Sequence, residues 1–269
     1  MLLDNNYVNR TPMLLAIDIG NTHTSFGLYK QASLLGHWRV TSIISRTEDE
    51  IAVQVGFFCE HVGIKMSDIS AVGISSVVPN LTIAAERMAE KYIGKGSLIV
   101  IGSHCDIGMP ILYDDPRSVG ADRICNAIAG YKKYGGPLII IDFGTASTFD
   151  VISKKGEYLG GVISPGLETS AADLHRRAAR LPKIELEFPL KVIGTNTVDS
   201  MKSGIMFSAV ESIDGIVGRI RDELGEKAKV IATGGYASII ASRTPVIEHV
   251  EPTLVLDGIR IIHSICKSA

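Results

Sequence analysis

Two stretches of this chain share one pattern of apolar and polar positions. Leu14–Tyr29 reads LLAIDIGNTHTSFGLY, and Leu138–Ile152 reads LIIIDFGTASTFDVI. Each is an apolar run broken by an Asp, one apolar residue, a Gly and a hydroxyl-rich turn, then a second apolar segment. Such a run, bounded by Gly, Asn and Thr, predicts a buried strand that turns back into a second strand. The Asp falls at the end of the first strand. There Gly lets backbone approach a ligand, and the N–H and hydroxyl groups that follow can bond phosphate oxygens. A single copy reads equally well as a tight hairpin with a capping Asp. Two copies, with Asp18 and Asp142 roughly 124 residues apart, point to a duplicated architecture whose two carboxylates face one cleft.

The rest of the pattern fills in around these turns. After Met13–Ile19, Thr24–Tyr29 and Leu34–Val40 continue a meander. Thr47 followed by Glu50 is a capping box, and Ile51, Val55 and Phe58 carry helical periodicity to about His61. Ser70–Val78 reads as a strand, Leu81–Tyr92 as an amphipathic helix and Ser97–Ile101 as a short strand, so a mixed sheet with parallel pairs is expected. In residues 118–135, Ala121, Ile124, Cys125 and Ile128 form an apolar helical stripe, with Asp122 and Arg123 in the first turn, off the stripe. Asp122 there is either a carboxylate suited to a helix N-terminus or a catalytic base beside an Arg that binds an acidic substrate.

Beyond the second turn, a hairpin across Lys154–Glu157 leads to a strand Tyr158–Ser164 that carries Gly160 and Gly161 and ends in Pro165-Gly166. These glycines either relieve crowding or admit a ligand. Leu167–Arg180 reads as a helix whose His175, Arg176, Arg177 and Arg180 make a solvated basic face. Phe188–Thr195 reads as extended or loop-like, and Gly194–Thr197 is an N-cap region for a long helix, Val198 to about Leu224. Gly204, Gly215 and Gly218 lie inside that helix. Each costs up to about 1 kcal/mol against Ala, so close packing on another helix is expected, within the fold or across a dimer interface. Lys229–Ala232 is a strand ending in Thr233-Gly234-Gly235 before a helix through Ile239-Ile240, a corner suited to a nucleotide. Pro252 to about Cys266 is a final amphipathic helix.

Composition narrows the class. A length of 269 residues suits two domains, expected at 13–117 and 118–269 after a flexible extension at 1–12. The net charge of −2 provides no basic field for nucleic acid. No apolar run approaches the roughly 18 residues that span a bilayer and no signal pattern opens the chain, so no membrane role and a cytoplasmic location are expected. Cys59, Cys105, Cys125 and Cys266 form no C-x-x-C pair and read as reduced thiols rather than a zinc site or disulfide framework.

Three glycine turns in order, Asp18–Thr24, Asp142–Thr148 and Thr233–Gly235, resemble the acetate kinase, sugar kinase, heat-shock chaperone and actin superfamily. That resemblance implies an α/β fold of two duplicated ribonuclease-H-like domains, mixed sheets flanked by helices, with an ATP cleft between them. Within the superfamily, DIGNTHTSFGLY (18–29), GADR (120–123), DFGTAST (142–148), GGVISPGL (160–167), NTVDSMKSG (196–204) and ATGG (232–235) resemble type III pantothenate kinase. The resemblance implies a homodimeric transferase that phosphorylates pantothenate to 4'-phosphopantothenate, the first step of coenzyme A biosynthesis, from ATP with Mg2+ and a monovalent cation, K+ or NH4+. It implies Asp122 as the base. Asp18, Ile19, Gly20, Asn21, Thr22, His23, Thr24 and Ser25 would bind ATP, with Thr145, Gly234 and Gly235. Tyr113, Gly120, Ala121, Asp122 and Arg123 would line the pantothenate site, joined near the dimer interface by Thr197, and Asp142 would ligate the monovalent cation. His23 departs from the Asn or other small polar residue frequent at its position, and Ser147 from Thr. A kinase of another small acceptor and a non-catalytic nucleotide-binding regulator are the alternative readings.

Overall fold

The computed structural model describes residues 12–94, 98–102 and 107–268. The extension at 1–12 therefore lies, Pro12 apart, outside the described residues, as do Ser97 and Cys105. The chain divides into two compact units: one runs to Gly108 and adds Arg117–Cys125 and Val255–Ala269, the other comprises Met109–Pro116 and Asn126–Leu254.

In the first unit, β1 (Met13–Ile19), β2 (His23–Lys30) and β3 (Ser33–Thr41) form the meander the alternation predicts. The capping box then starts α1 (Glu48–His61): Glu50 N–H donates to Thr47 Oγ1 at 3.3 Å, and the Thr47 N–H donates to the Glu50 carboxylate at 2.8 Å. Those bonds satisfy two donors that a helix start leaves open, and they hold the Glu50 carboxyl below its ordinary range. β4 (Ile69–Ser76), α2 (Pro79–Tyr92) and β5 (Leu98–Val100) follow, with Pro79 at the first helical position, where its missing N–H costs nothing. The sheet order is β3-β2-β1-β4-β5, with β1 antiparallel to β2 and parallel to β4.

The continuous apolar character of β1 follows from cover on both faces. Leu15, Ile17 and Ile19 pack with Ile51, Val55 and Phe58 of α1 and with Leu81, Ala85 and Met88 of α2. The opposite face receives the last helix of the chain. A Cβ on Gly73 would lie 2.5 Å from the Ile259 side chain, and Tyr29, fully buried, donates its hydroxyl to Asp257 at 3.0 Å.

The second unit takes up the chain within α3 (Ala121–Tyr134) and continues through β6 (Leu138–Phe143), β7 (Ala146–Ile152), β8 (Tyr158–Pro165), α4 (Leu167–Arg177), α5 (Thr197–Leu224), β9 (Lys229–Gly234), α6 (Ala237–Ala241) and β10 (His249–Val250). The chain closes with α7 (Leu254–Ser268). Sheet order here is β10-β9-β6-β7-β8, with β6 antiparallel to β7 and parallel to β9. Replacing β6 to β10 by β1 to β5 gives the order and directions of the first sheet, so the duplication legible in the two turns extends to the whole sheet. Ile139, Ile141 and Phe143 pack with Met206, Val210, Ile213 and Val217 of α5, and α3 covers the other face. Gly130 makes that approach possible: a Cβ there would lie 2.7 Å from the Ile140 side chain.

Two details differ from expectation. The helix expected to reach Arg180 ends at Arg177, because Ala178 turns extended and His175 Nδ1 bonds the Leu181 carbonyl oxygen at 2.6 Å. Gly204, Gly215 and Gly218 face open space: apart from their chain neighbours and the nearby backbone of α5 itself, no atom of the described residues lies within 4 Å of a Cβ built on any of them. Packing within the fold is therefore not what they serve.

Candidate active site

The first turn sits at the carboxyl ends of β1 and β4, where open α/β sheets place their ligands. Asp18 is the register partner of Ser75 across the parallel pair, and Ser75 Oγ, fully buried, donates to Asp18 Oδ1 at 2.9 Å. Gly20 N–H closes the turn on the His23 carbonyl at 3.0 Å. Ser42, just past β3, braces it from the side: its N–H donates to the Thr22 carbonyl (2.9 Å), its hydroxyl donates to the Gly20 carbonyl (2.7 Å), and it meets Thr24 Oγ1 at 2.8 Å. Asn21 and Thr22 are exposed at the tip. Arg39 on β3 donates Nη2 to His23 Nδ1 at 2.8 Å. A guanidinium only donates, so Nδ1 is the acceptor and the His23 proton resides on Nε2 while that bond stands.

Gly120–Arg123 belong to this same unit. A Cβ on Gly120 would lie 3.8 Å from Val77, whose N–H bonds the Ile19 carbonyl, so the segment adjoins the end of the sheet that bears the Asp18 turn. The same Cβ would lie 2.5 Å from Asp122 Oδ1, which makes glycine a condition for the carboxylate's position. Arg123 N–H donates to Asp122 Oδ1 at 2.8 Å, in the first turn of α3, where a negative charge is favoured. Asp122 Oδ2 accepts no hydrogen bond from the described residues, and the side chain is half-buried. Arg123 is buried, 8 % exposed, although it falls off the apolar stripe.

In the second unit the turn repeats with one residue fewer. Gly144 N–H closes on the Ala146 carbonyl at 3.0 Å. The Thr145 carbonyl accepts from the Gly166 N–H (3.1 Å) and from Thr169 Oγ1 (2.6 Å), which leaves Thr145 exposed on a fixed backbone. Gly166 has no alternative there, since a Cβ would lie 2.4 Å from the Gly144 carbonyl oxygen. Asp142 accepts from Asn126 Nδ2 at 2.9 Å. Gly234, at φ 92°, presses on the same carboxylate: a Cβ would lie 2.6 Å from Asp142 Oδ1, and the Gly235 N–H bonds the Phe143 carbonyl at 3.1 Å. Asp142, Gly234 and Gly235 thus form one corner.

Tyr113 lies over β8, its ring 3.6 Å from a Cβ built on Gly160 and its centroid 6.4 Å from that of Tyr158. Gly160, at φ 126°, so accommodates a ring of the protein itself. Thr197 opens α5 behind the Asn196 N-cap, on a pocket walled by Leu181, Gly194–Thr197, Ser200 and Met201, which includes neither Tyr113 nor 120–123.

Five contributors escaped the sequence reading: Ser75, Arg39, Ser42, Asn126 and Thr169. Ser75 and Asn126 are fully buried polar residues, and their signal was a hydroxyl or amide inside an apolar run. The residues fit a phosphate-borne cation and a hard monovalent ion. Mg2+ that arrives on substrate phosphates takes one or two carboxylates, the number each turn offers. The Asp142 carboxylate supplies oxygen donors of the kind such an ion takes, and the Asn126 Nδ2 bond fixes one of them.

Two sheets of one order, each with a glycine turn after its central strand, define a duplicated actin-like fold of the kind built by sugar kinases. A ROK hexokinase from Thermus thermophilus superposes with a TM-score of 0.51 over 93% of this chain and 98% of its own, at 12% identity. A Baf family transcriptional activator from Campylobacter jejuni superposes at 0.59 over 95% and 100%, at 17% identity, so both report on fold alone. The family model for type III pantothenate kinase matches residues 14–219. Type III pantothenate kinases of Myxococcus xanthus and Moorella thermoacetica are 47% and 46% identical over 251 residues, each covering 93% of this chain and 98% of the relative. The chain belongs to the type III pantothenate kinase family.

Proposed function

We propose that this protein transfers the γ-phosphoryl group of ATP to the primary hydroxyl of pantothenate, giving 4'-phosphopantothenate and ADP, the first step of coenzyme A biosynthesis. The observation that carries the reading is the state of Asp122: one oxygen is fixed by the Arg123 N–H, and the other receives no donor from the described residues on a half-buried carboxylate. Such a group is placed to accept the hydroxyl proton as the new P–O bond forms and the bond to ADP breaks. A regulator that only bound nucleotide would not require it.

The remaining roles follow residue by residue. Asp18–Ser25 offer backbone N–H and hydroxyl groups to the phosphates, Thr145 contacts ATP, and Gly234 and Gly235 let the nucleoside approach. Tyr113, Gly120, Ala121, Arg123 and Thr197 hold pantothenate. Asp142 ligates K+ or NH4+. When bound, Mg2+ and the monovalent cation neutralise charge on the phosphoryl oxygens.

The homodimer is supported by α5. Its three exposed glycines leave a surface that a second helix can approach closely, and a groove of about 510 Å³ beside Gly204 is lined by Phe149, Leu174, Met201 and Ile205. The experiment is an ADP-release assay coupled to pantothenate, with and without potassium, alongside size measurement in solution. Pantothenate-dependent ADP release is expected; its absence under both conditions overturns the reading.

A further inference from the structure

Among the described residues Asn126 is the only fully buried side-chain amide. It stands in a stretch of α3 that is buried on every side, Cys125 before it and Ala127 after it both being 0% exposed, where an aliphatic side chain would pack without polar cost. An amide buried with an unsatisfied oxygen costs about 1–3 kcal/mol, so its retention needs a reason in the bond it makes. That bond is Nδ2 to Asp142 Oδ2 at 2.9 Å. The other carboxylate oxygen of Asp142 abuts the Gly234 backbone, so the carboxylate is held from two sides. Asn126 also has a second relationship, along its own helix. It follows Asp122 by four residues in α3, which puts the two on one face, one turn apart.

We infer that Asn126 is a positioning residue that ties the Asp142 carboxylate to the helix turn bearing Asp122, so that a cation held at Asp142 sets the orientation of Asp122. The inference rests on the reading of Asp142 as cation ligand and Asp122 as base. Asn126 touches neither substrate nor phosphate in this scheme. Its Nδ2 fixes one oxygen of Asp142, and the rigid helix carries any displacement to Asp122. Partners of a metal ligand commonly change metal affinity 10- to 100-fold when removed.

The test uses the full-length enzyme with Asn126→Asp, which keeps the volume and puts an acceptor against the carboxylate, and Asn126→Ala, which removes the donor without adding charge. Two readouts are taken: the potassium half-saturation of turnover, and the potassium-induced shift in melting temperature with ADP bound, using choline chloride to match ionic strength. In both variants half-saturation is expected to rise roughly 10- to 100-fold and the melting shift to be lost, with KM for pantothenate within about threefold of the parent. A purely volumetric role would leave Asn126→Asp the milder variant; the positioning role makes it at least as impaired as Asn126→Ala. Parental potassium responses in Asn126→Asp, or in Asn126→Ala should the former not fold, overturn the inference while leaving the cation reading intact. A parental potassium response in Asp142→Ala removes the cation reading and the inference with it.

Discussion

Asp18 and Ser75 are register partners on adjacent parallel strands, and the buried Ser75 hydroxyl donates to Asp18 Oδ1 at 2.9 Å. The serine thereby selects one orientation of a carboxylate at the edge of the phosphate turn. Bonds to charged groups contribute roughly 1.5–3 kcal/mol, so Ser75→Ala is expected to lower kcat/KM for ATP about tenfold or more. Steady-state kinetics with each substrate varied in turn checks this, and KM for pantothenate is expected to stay within about twofold.

Asp122→Asn removes the proton acceptor while keeping the bond from the Arg123 N–H. Turnover is expected to fall by about 10²–10⁴, with ATP binding by calorimetry retained. A variant that turned over normally would move the base elsewhere, and Asp18 would be the first residue to examine.

Gly234→Ala puts a methyl 2.6 Å from Asp142 Oδ1 and from the Phe143 backbone, at a φ of 92° that side chains rarely adopt. Overpacking of this sort costs about 1–3 kcal/mol, and the strained backbone adds to it. Chemical denaturation is expected to show that loss, and a potassium titration of the folded fraction is expected to show weakened activation as Asp142 is displaced.

His263 on α7 is half-buried, and desolvation, with a smaller contribution from Lys267, lowers its pKa from 6.5. A base whose folded pKa is depressed binds fewer protons folded than unfolded, so its contribution is fully present above about pH 6.5 and is lost as pH falls from there through the lower folded pKa. Melting temperatures measured from pH 7.5 down to 5.5 are expected to decline, and His263→Gln is expected to flatten the decline over that window.

Thr47→Ala removes the side-chain acceptor for the Glu50 N–H and half of the capping box. A loss of about 1 kcal/mol is expected in urea unfolding, with kinetic constants unchanged, since α1 bears no proposed site residue.

Much of this architecture was legible because periodicity reports burial directly. Met13–Ile19 is a strand at the bounds the apolar run predicts, and Thr47 caps α1 as the Thr-to-Glu spacing predicts. The Asp-to-Gly turns showed where strands end and that the architecture is duplicated, while the common strand order of the two sheets is visible only in the structure. Periodicity names a face but not the partner that covers it. Nothing in Val255–Ser268 says that Ile259 packs on Gly73, 186 residues earlier in the chain. Asn126 reads as an ordinary polar helix position until Asp142 is found beside it, and Arg39 as an exposed strand residue until the fold brings it to His23. The α5 glycines show the converse: their cost was visible in the sequence, whereas the open space around them was not.

The position of α7 bears on how the protein is made. Leu256 and Ile259 fill the space beside Gly27 and Gly73, and Asp257 receives the Tyr29 hydroxyl, so one face of the first sheet has its cover encoded after the entire second unit. On the ribosome, β1, β2 and β4 emerge early and wait, with Leu14 and Tyr29 uncovered, until residues near 260 clear the exit tunnel. The second unit can gather its own core during that interval. Emergence of α7 is therefore the event that seals the first.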